Sequence, residues 1–226
     1  MNVSIAMATY NGDKYIREQL DSILIQLNEM DEIIISDDGS TDNTLNIIQE
    51  YMQKYRNIKL YNGPQKGLIK NFENAINYCN NEIIFFSDQD NIWNKNKKEL
   101  VLKCFENNKD AKVVIHSYTT LINGEICGPF IKYKSGYLFN MVRSTYYGFA
   151  MAFRKEFIKK YIPFPKEVIA YDQWVGLCSE KIKGTKYISE PLTVFRRHSE
   201  AVSKKLSLYK KTKFRIDTIK CVIKNL

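Results

Sequence analysis

Four times between Asn2 and Asn107, a short apolar run gives way to a stretch of helical periodicity. The runs are Asn2–Thr9, Asp31–Ser36, Ile58–Tyr61 and the start of Glu82–Trp93. Apolar runs this short, bounded by turn residues, read as buried strands. Helices are predicted over Lys14–Asn28, from Ser40 or Thr41 to Arg56, over Gly67–Cys79 and over Asn94–Asn107. In the first, Ile16, Leu20, Ile23, Leu24 and Leu27 recur at helical spacing, with Asp13 as the expected cap. In the second, Leu45, Ile48 and Met52 are expected to point inward. Alternation of this kind folds into right-handed βαβ units and a mostly parallel sheet flanked by helices, so the class is α/β.

A parallel sheet gathers the carboxyl ends of its strands on one edge, which is where such folds bind ligands. Three successive runs end in polar residues: Thr9-Tyr10-Asn11, Asp37-Asp38, and Asp88 with Asp90. A core has no structural need for polar residues at all three. The last pair is spaced Asp-x-Asp, and two carboxylates at a strand end suit Mg²⁺ or Mn²⁺, which bind through one or two carboxylates plus phosphates and water. The plainer account of a lone Asp-x-Asp is a solvated loop. Neither Gly-x-Gly-x-x-Gly nor a P-loop is present, which sets aside dinucleotide-binding and P-loop proteins.

Beyond residue 110 the pattern is less regular. Ala111–His116 is predicted as a strand, with Tyr118–Ile122 able to pair with it. Gly124–Tyr137 reads as loop, Tyr147–Arg154 as strand, and Lys155–Tyr161 as a short helix ended by Pro163 and Pro165. Ile169–Ile182 reads as an apolar helix, and Lys186–Ser189 and Leu192–Phe195 as two short strands. The 226 residues are 44% hydrophobic, enough for one large domain with a sizeable core. The opening residues lack the marks of a signal peptide, and no window is long and apolar enough to span a membrane. Five scattered cysteines without ligand spacing suit a reducing cytosol.

The net charge is +9, of which residues 203–226 carry +7. A nearly neutral body with a basic tail is not the footprint of a nucleic-acid binder. In the tail, Leu206, Tyr209, Ile216, Ile219, Ile223 and Leu226 share one helical face while lysines crowd the rest. Such a helix suits either an anionic membrane surface or docking on the body.

Six segments in order resemble the family 2 glycosyltransferases, nucleotide-sugar enzymes with the GT-A fold. They are Val3–Asn11, Ser36–Asp42, Phe86–Trp93, Gly148–Met151, Tyr171–Trp174 and Arg197-His198. The Ser-Asp-Gln-Asp-x-Ile-Trp segment and the late Phe-Arg-Arg-His look most like bacterial rhamnosyltransferase-type members. The resemblance implies a GT-A domain over 1–202, with 1–110 binding the nucleotide sugar and 111–202 the acceptor, followed by the basic helix. It places Thr9, Tyr10, Asn11 and Asp38 on the nucleoside, with Lys70 and Asn71 as further nucleotide contacts. It makes Asp88 and Asp90 the metal and ribose carboxylates, with His198 completing a Mn²⁺ or Mg²⁺ site.

By the same resemblance Asp172 is the catalytic base of an inverting transfer, since a sugar hydroxyl attacks well only as its proton is removed. The plainer role for Asp172 is a helix cap. Tyr147 and Trp174 are expected to stack on an acceptor sugar or to pack in the core, Gly148 to let backbone approach the acceptor, and Arg197 to contact it. Relatives often carry an acidic residue where this chain has Ile115-His116-Ser117, so His116 has no assigned role. The implied donor is a dTDP- or UDP-sugar, with dTDP-rhamnose implied by the rhamnosyltransferase-type match. The acceptor would be a glycan or lipid-linked sugar of bacterial surface polysaccharide, met in the cytoplasm or at the inner membrane face. The competing readings are a catalytically silent binding module and a sugar nucleotidyltransferase.

Overall fold

The computed structural model describes residues 1–127, 133–197 and 208–225. Its first half follows the alternation: β1 (Val3–Thr9), α1 (Ile16–Leu24), β2 (Glu32–Asp37), α2 (Thr44–Lys54), β3 (Ile58–Asn62), α3 (Leu68–Tyr78) and β4 (Ile83–Asp88). These four strands pair in parallel in the order β3-β2-β1-β4. Alternate residues supply the two faces, as strand geometry requires. Val3, Ile5 and Met7 of β1 join Ile33, Ile35, Ile83 and Phe85 under α1, α2 and α4 (Lys97–Asn107). Ala6 and Ala8 join Ile34, Ile84 and Phe86 against Phe72 and Ile76 of α3. Truncating a fully buried Phe86 to alanine would cost about 3–5 kcal/mol.

The second half is mixed. β5 (Ile92–Trp93) and α4 lead to β6 (Val113–Ile122), β7 (Glu125–Cys127), α5 (Tyr137–Val142), a 3₁₀ turn (Gly148–Ala150) and β8 (Met151–Arg154). Then come α6 (Lys155–Ile158), α7 (Tyr171–Lys181), β9 (Thr185–Arg196) and α8 (Leu208–Asn225). β8 inserts antiparallel between β4 and β6, β9 lies parallel to β6, and β5 pairs antiparallel with β9. One sheet therefore runs β3-β2-β1-β4-β8-β6-β9-β5, with β7 on β6.

Several local expectations are corrected. The inward residues of α2 are Ile47, Ile48 and Tyr51, while Met52 is 36% exposed, so the helix is rotated from the expected face. Asp13 does not cap α1; its carboxylate accepts from the Asn43 N–H, and the Gly12 carbonyl receives Tyr15 and Ile16. Asp42, not Ser40 or Thr41, receives the first N–H of α2, at Thr44. Residues 113–122 form one strand rather than a self-paired two, and residues 185–196 another. A bulge at His116–Tyr118 lets both stay continuous across an irregular register. The expected loop over 124–137 holds β7 and gives way to α5 at its last residue, and the expected strand over 147–154 begins as a 3₁₀ turn.

The tail helix packs on α5, burying Cys221 and Val222 in the core under α7. Ile216 and Ile223, expected on the apolar face, are exposed. Among the described residues no helix is long and apolar enough to cross a membrane.

Candidate functional site

The carboxyl edge of β1, β2 and β4 is held open by side-chain clamps. Asp37 at the end of β2 is buried and accepts Thr9 Oγ1 at 2.7 Å, Ser40 Oγ at 2.6 Å and the Ser40 N–H at 2.7 Å. Asp38 faces the other way and receives the Gln65 and Gly67 N–H groups at 2.6 and 2.8 Å, fixing the entry to α3. Gly39 between them and the helix has φ +95°, a conformation that disfavours side chains. Asn11, at φ 47°, takes the Thr41 N–H on its Oδ1 while its own N–H donates to Ser40 Oγ. Tyr10 stands 57% exposed between these clamps.

Asn71 reaches from α3 to donate to the Thr9 carbonyl at 3.1 Å, and its own Oδ1 is buried without a hydrogen-bond partner. Lys70 is engaged by both carboxylate oxygens of Glu73 at 2.7 and 2.8 Å. Nothing in the spacing identified Gln89, the middle residue of Asp88-Gln89-Asp90. Its amide pairs with both backbone groups of Tyr10, accepting at 2.8 Å and donating at 3.0 Å, which is the bonding of a strand partner. A side chain on Gly12 would overlap it.

Asp88, Asp90 and Asp172 converge beyond this edge. Burial, followed by the charges of Asp90 and Asp172, pushes Asp88 up to about 8, against an opposing pull from Lys97 and an Asn91 amide at 3.4 Å. Burial raises Asp172 to about 6, although the N–H groups of Gln173 and Gly148 donate to it. The buried Tyr171 hydroxyl is raised well above its ordinary value by burial and by the same three carboxylates. Carboxylates at the opposite, amino-terminal edge behave differently. There burial alone would raise Glu32, but the Asn80 N–H, Ser4 and Lys59 bring it below its usual range. A concavity of about 620 Å³ on that edge, bounded by Glu82, Lys112, Arg154 and Glu156, is lined by ion pairs.

Asp172 does not cap α7: the helix begins at Tyr171 with Ala170 at the cap position, and Asp172 lies inside the first turn, where the helix dipole favours a carboxylate. Its facing Asp88 is what the cap reading did not contain. Gly148 serves Tyr171: a Cβ there would overlap the Tyr171 ring and hydroxyl. Trp174 is 4% exposed and packs in the core, leaving Tyr147 as the half-buried ring of the two acceptor candidates. Tyr147 lies edge-on to Tyr118 at 5.0 Å; burial and then Tyr147 push the Tyr118 hydroxyl up, against a weaker opposing pull from Arg197, which is exposed and joined through its N–H to the Leu121 carbonyl. Arg196 was not foreseen; it donates to the Asp90 carbonyl and pairs with Glu18, tying β9 to the Asp-x-Asp loop. His116 is buried beside Ser117, its Nδ1 2.8 Å from that carbonyl. His198 lies outside the described residues.

Among the described residues no three His, Cys, Asp or Glu side chains form a group able to hold a metal ion. Asp88 and Asp90 nevertheless fit a hard divalent cation that takes its remaining ligands from phosphate and water. Burial, and after it the charges of Asp90 and Asp172, disfavour the ionised form of Asp88, which a bound cation would favour.

Comparison with known proteins matches residues 4–162 to the family Glycosyl transferase family 2. Over 104 residues the chain is 45% identical to dTDP-rhamnosyl transferase RfbG of Shigella flexneri, covering 43% of this chain and 36% of that protein. Over 130 residues it is 32% identical to the UDP-Glc:alpha-D-GlcNAc-diphosphoundecaprenol beta-1,3-glucosyltransferase WfgD of Escherichia coli, covering 57% and 50%. The crystal structure of S. aureus TarS with UDP-GlcNAc superposes with a TM-score of 0.77 at 22% identity, over 97% of this chain and 66% of that one. The chain thus spans only part of the length of these relatives.

Proposed function

The chain belongs to glycosyl transferase family 2 and has the GT-A fold, and we propose that it is an inverting, divalent-metal-dependent sugar transferase. The observation that carries this is the convergence of Asp88, Asp90 and Asp172, with Asp88 and Asp172 raised to about 8 and about 6. Residues 1–110 hold the nucleotide sugar, with Thr9, Tyr10, Asn11, Asp38, Lys70 and Asn71 forming the nucleotide side. Residues 111–202 receive the acceptor through Tyr147 and Arg197, with Gly148 and Trp174 shaping that side by their packing against Tyr171 and the core.

Asp88 and Asp90 would hold the ion, with His198 as a third ligand. Bound there, Mn²⁺ or Mg²⁺ would offset negative charge on the diphosphate leaving group. Asp172 takes the proton from the acceptor hydroxyl as its oxygen bonds to the anomeric carbon. The bond from that carbon to the diphosphate breaks on the opposite face, its electron pair leaving with the nucleotide. A carboxylate raised to about 6 is better matched to this task at neutral pH than an ordinary one.

The similarity to RfbG favours dTDP-rhamnose as donor, and that to WfgD keeps UDP-sugars in view. The diphosphoundecaprenol-linked acceptor in the WfgD name supports a lipid-linked or glycan acceptor, and on this reading the chain works in bacterial surface polysaccharide synthesis at the inner membrane face. Residues 203–226 would touch anionic lipid there: Ile216 and Ile223 are exposed beside exposed Lys213, Lys220 and Lys224.

Calorimetry of UDP and dTDP with Mn²⁺ and with EDTA, on the parent and on Asp90→Ala, tests the proposal. Metal-dependent binding that Asp90→Ala abolishes is expected. A folded parent that binds neither nucleotide sinks it.

A further inference from the structure

Lys97 is completely buried at the first residue of α4, where the helix dipole opposes a cation. Burying an ammonium is unfavourable unless it is well paired, yet both of its hydrogen bonds go to neutral oxygens. Nζ donates to the Phe149 carbonyl at 2.8 Å and to Thr193 Oγ1 at 2.9 Å, and stands 4.2 Å from the centre of the Trp93 ring. Burial pulls the group well below its ordinary range, opposed by the charge of Asp88, so its hydrogen bonds to these neutral partners are what hold it in place.

Each neighbour belongs to a different part of the site. Trp93 is three residues beyond Asp90, in β5. Thr193 is its register partner in β9, the strand whose end ties down the Asp90 carbonyl through Arg196. Phe149 is the middle residue of the 3₁₀ turn, and the preceding residue, Gly148, donates its N–H to Asp172. A leucine or methionine would fill this volume at less cost in desolvation. What an apolar side chain cannot do is hold the Phe149 carbonyl.

We propose that Lys97 is a positioning residue that locks the 148–150 turn and thereby orients the Asp172 carboxylate toward Asp88 and Asp90. The proposal rests on Asp172 acting as the base. It adds a connection that the sequence hides, because Lys97 and Phe149 are 52 residues apart.

The test uses the full chain, Lys97→Met and the near-isosteric Thr193→Val. Three quantities are measured: amide hydrogen exchange over residues 147–150, Mn²⁺-dependent UDP binding, and hydrolysis of dTDP-rhamnose and UDP-glucose. In Lys97→Met, exchange in the turn should rise roughly tenfold as local opening becomes easier. Turnover should fall about 10²-fold, the scale of a small misplacement of a catalytic group, with KM for the donor and UDP affinity changing far less, by the amount that losing Lys97's charge near Asp88 brings. Thr193→Val should show the same pattern at smaller size and carries the test if Lys97→Met does not fold. Unchanged exchange in the turn overturns the positioning role whatever the nucleotide does. Nucleotide affinity falling in step with turnover also overturns it, by making Lys97 a general structural staple. A parent that binds neither UDP nor dTDP overturns the glycosyltransferase reading instead, and the exchange result still decides the role of Lys97 in holding the turn.

Discussion

The two halves of the sheet reach the same edge by opposite means. In β3-β2-β1-β4 strands and helices alternate along the chain, α3 packing back on β1 and β2, and the site residues Thr9, Asp37 and Asp88 sit where those strands stop. In β8-β6-β9-β5 the neighbours come from distant parts of the chain, and a twelve-residue β9 bridges from β6 to a two-residue β5. The first half places groups by local periodicity. The second places them by long-range bonds such as Lys97 to Phe149 and Arg196 to the Asp90 carbonyl. Under the proposed function, nucleotide binding draws mainly on the first half and chemistry on the second, so the two are separable by mutation.

The largest separation should come from Asp172→Asn. Turnover is expected to fall on the order of 10²–10⁴-fold while metal-dependent nucleotide binding is retained. Because the base works ionised, the parent's rate should decline as pH drops through about 6, and the variant should lose that limb. A variant within threefold of the parent would remove Asp172 from the chemistry. Gln89→Ala attacks the other half. Releasing both backbone groups of Tyr10 should weaken UDP binding by roughly tenfold, the equivalent of one or two hydrogen bonds, and calorimetry would show it. Equal loss of turnover at saturating donor would mean that the two halves are not separable there.

The smallest effect concerns stability. The folded protein holds Asp88 and Asp172 protonated to about 8 and about 6, whereas the unfolded chain releases those protons near pH 4. Native protein therefore binds more protons across that window, and stability should fall as pH rises from about 4 to 8. In EDTA, Asp88→Asn should match the parent's melting temperature near pH 5 and exceed it by a few degrees at pH 8.5. An unchanged difference between the two pH values would show that burial and the neighbouring carboxylates do not raise Asp88 as described.

The edge was legible because three strand ends carry polar residues that a core would not choose. The function of Asp38's neighbour Asp37 was not, since in Asp37-Asp38 the register alone decides which carboxylate turns inward. The caps and the inward face of α2 were misplaced for a related reason: Met52 and Tyr51 are equally plausible on a wheel, and only the position of α2 against the sheet chooses between them. Trp174 shows the same limit, because an aromatic residue next to a catalytic candidate has the same spacing whether it stacks on a ligand or fills a core.

Sequence by itself determined the α/β class, the order of the βαβ units and the edge on which Asp88 and Asp90 lie, because these follow from contacts between neighbouring segments. Only the tertiary structure decided that Asp172 faces those carboxylates, that Gln89 and Arg196 clamp the loops around them, and that a buried Lys97 holds the turn beside the base. Those relations join residues separated by 52 to 106 positions. No periodicity encodes them, since they exist only once the sheet has brought its far strands together.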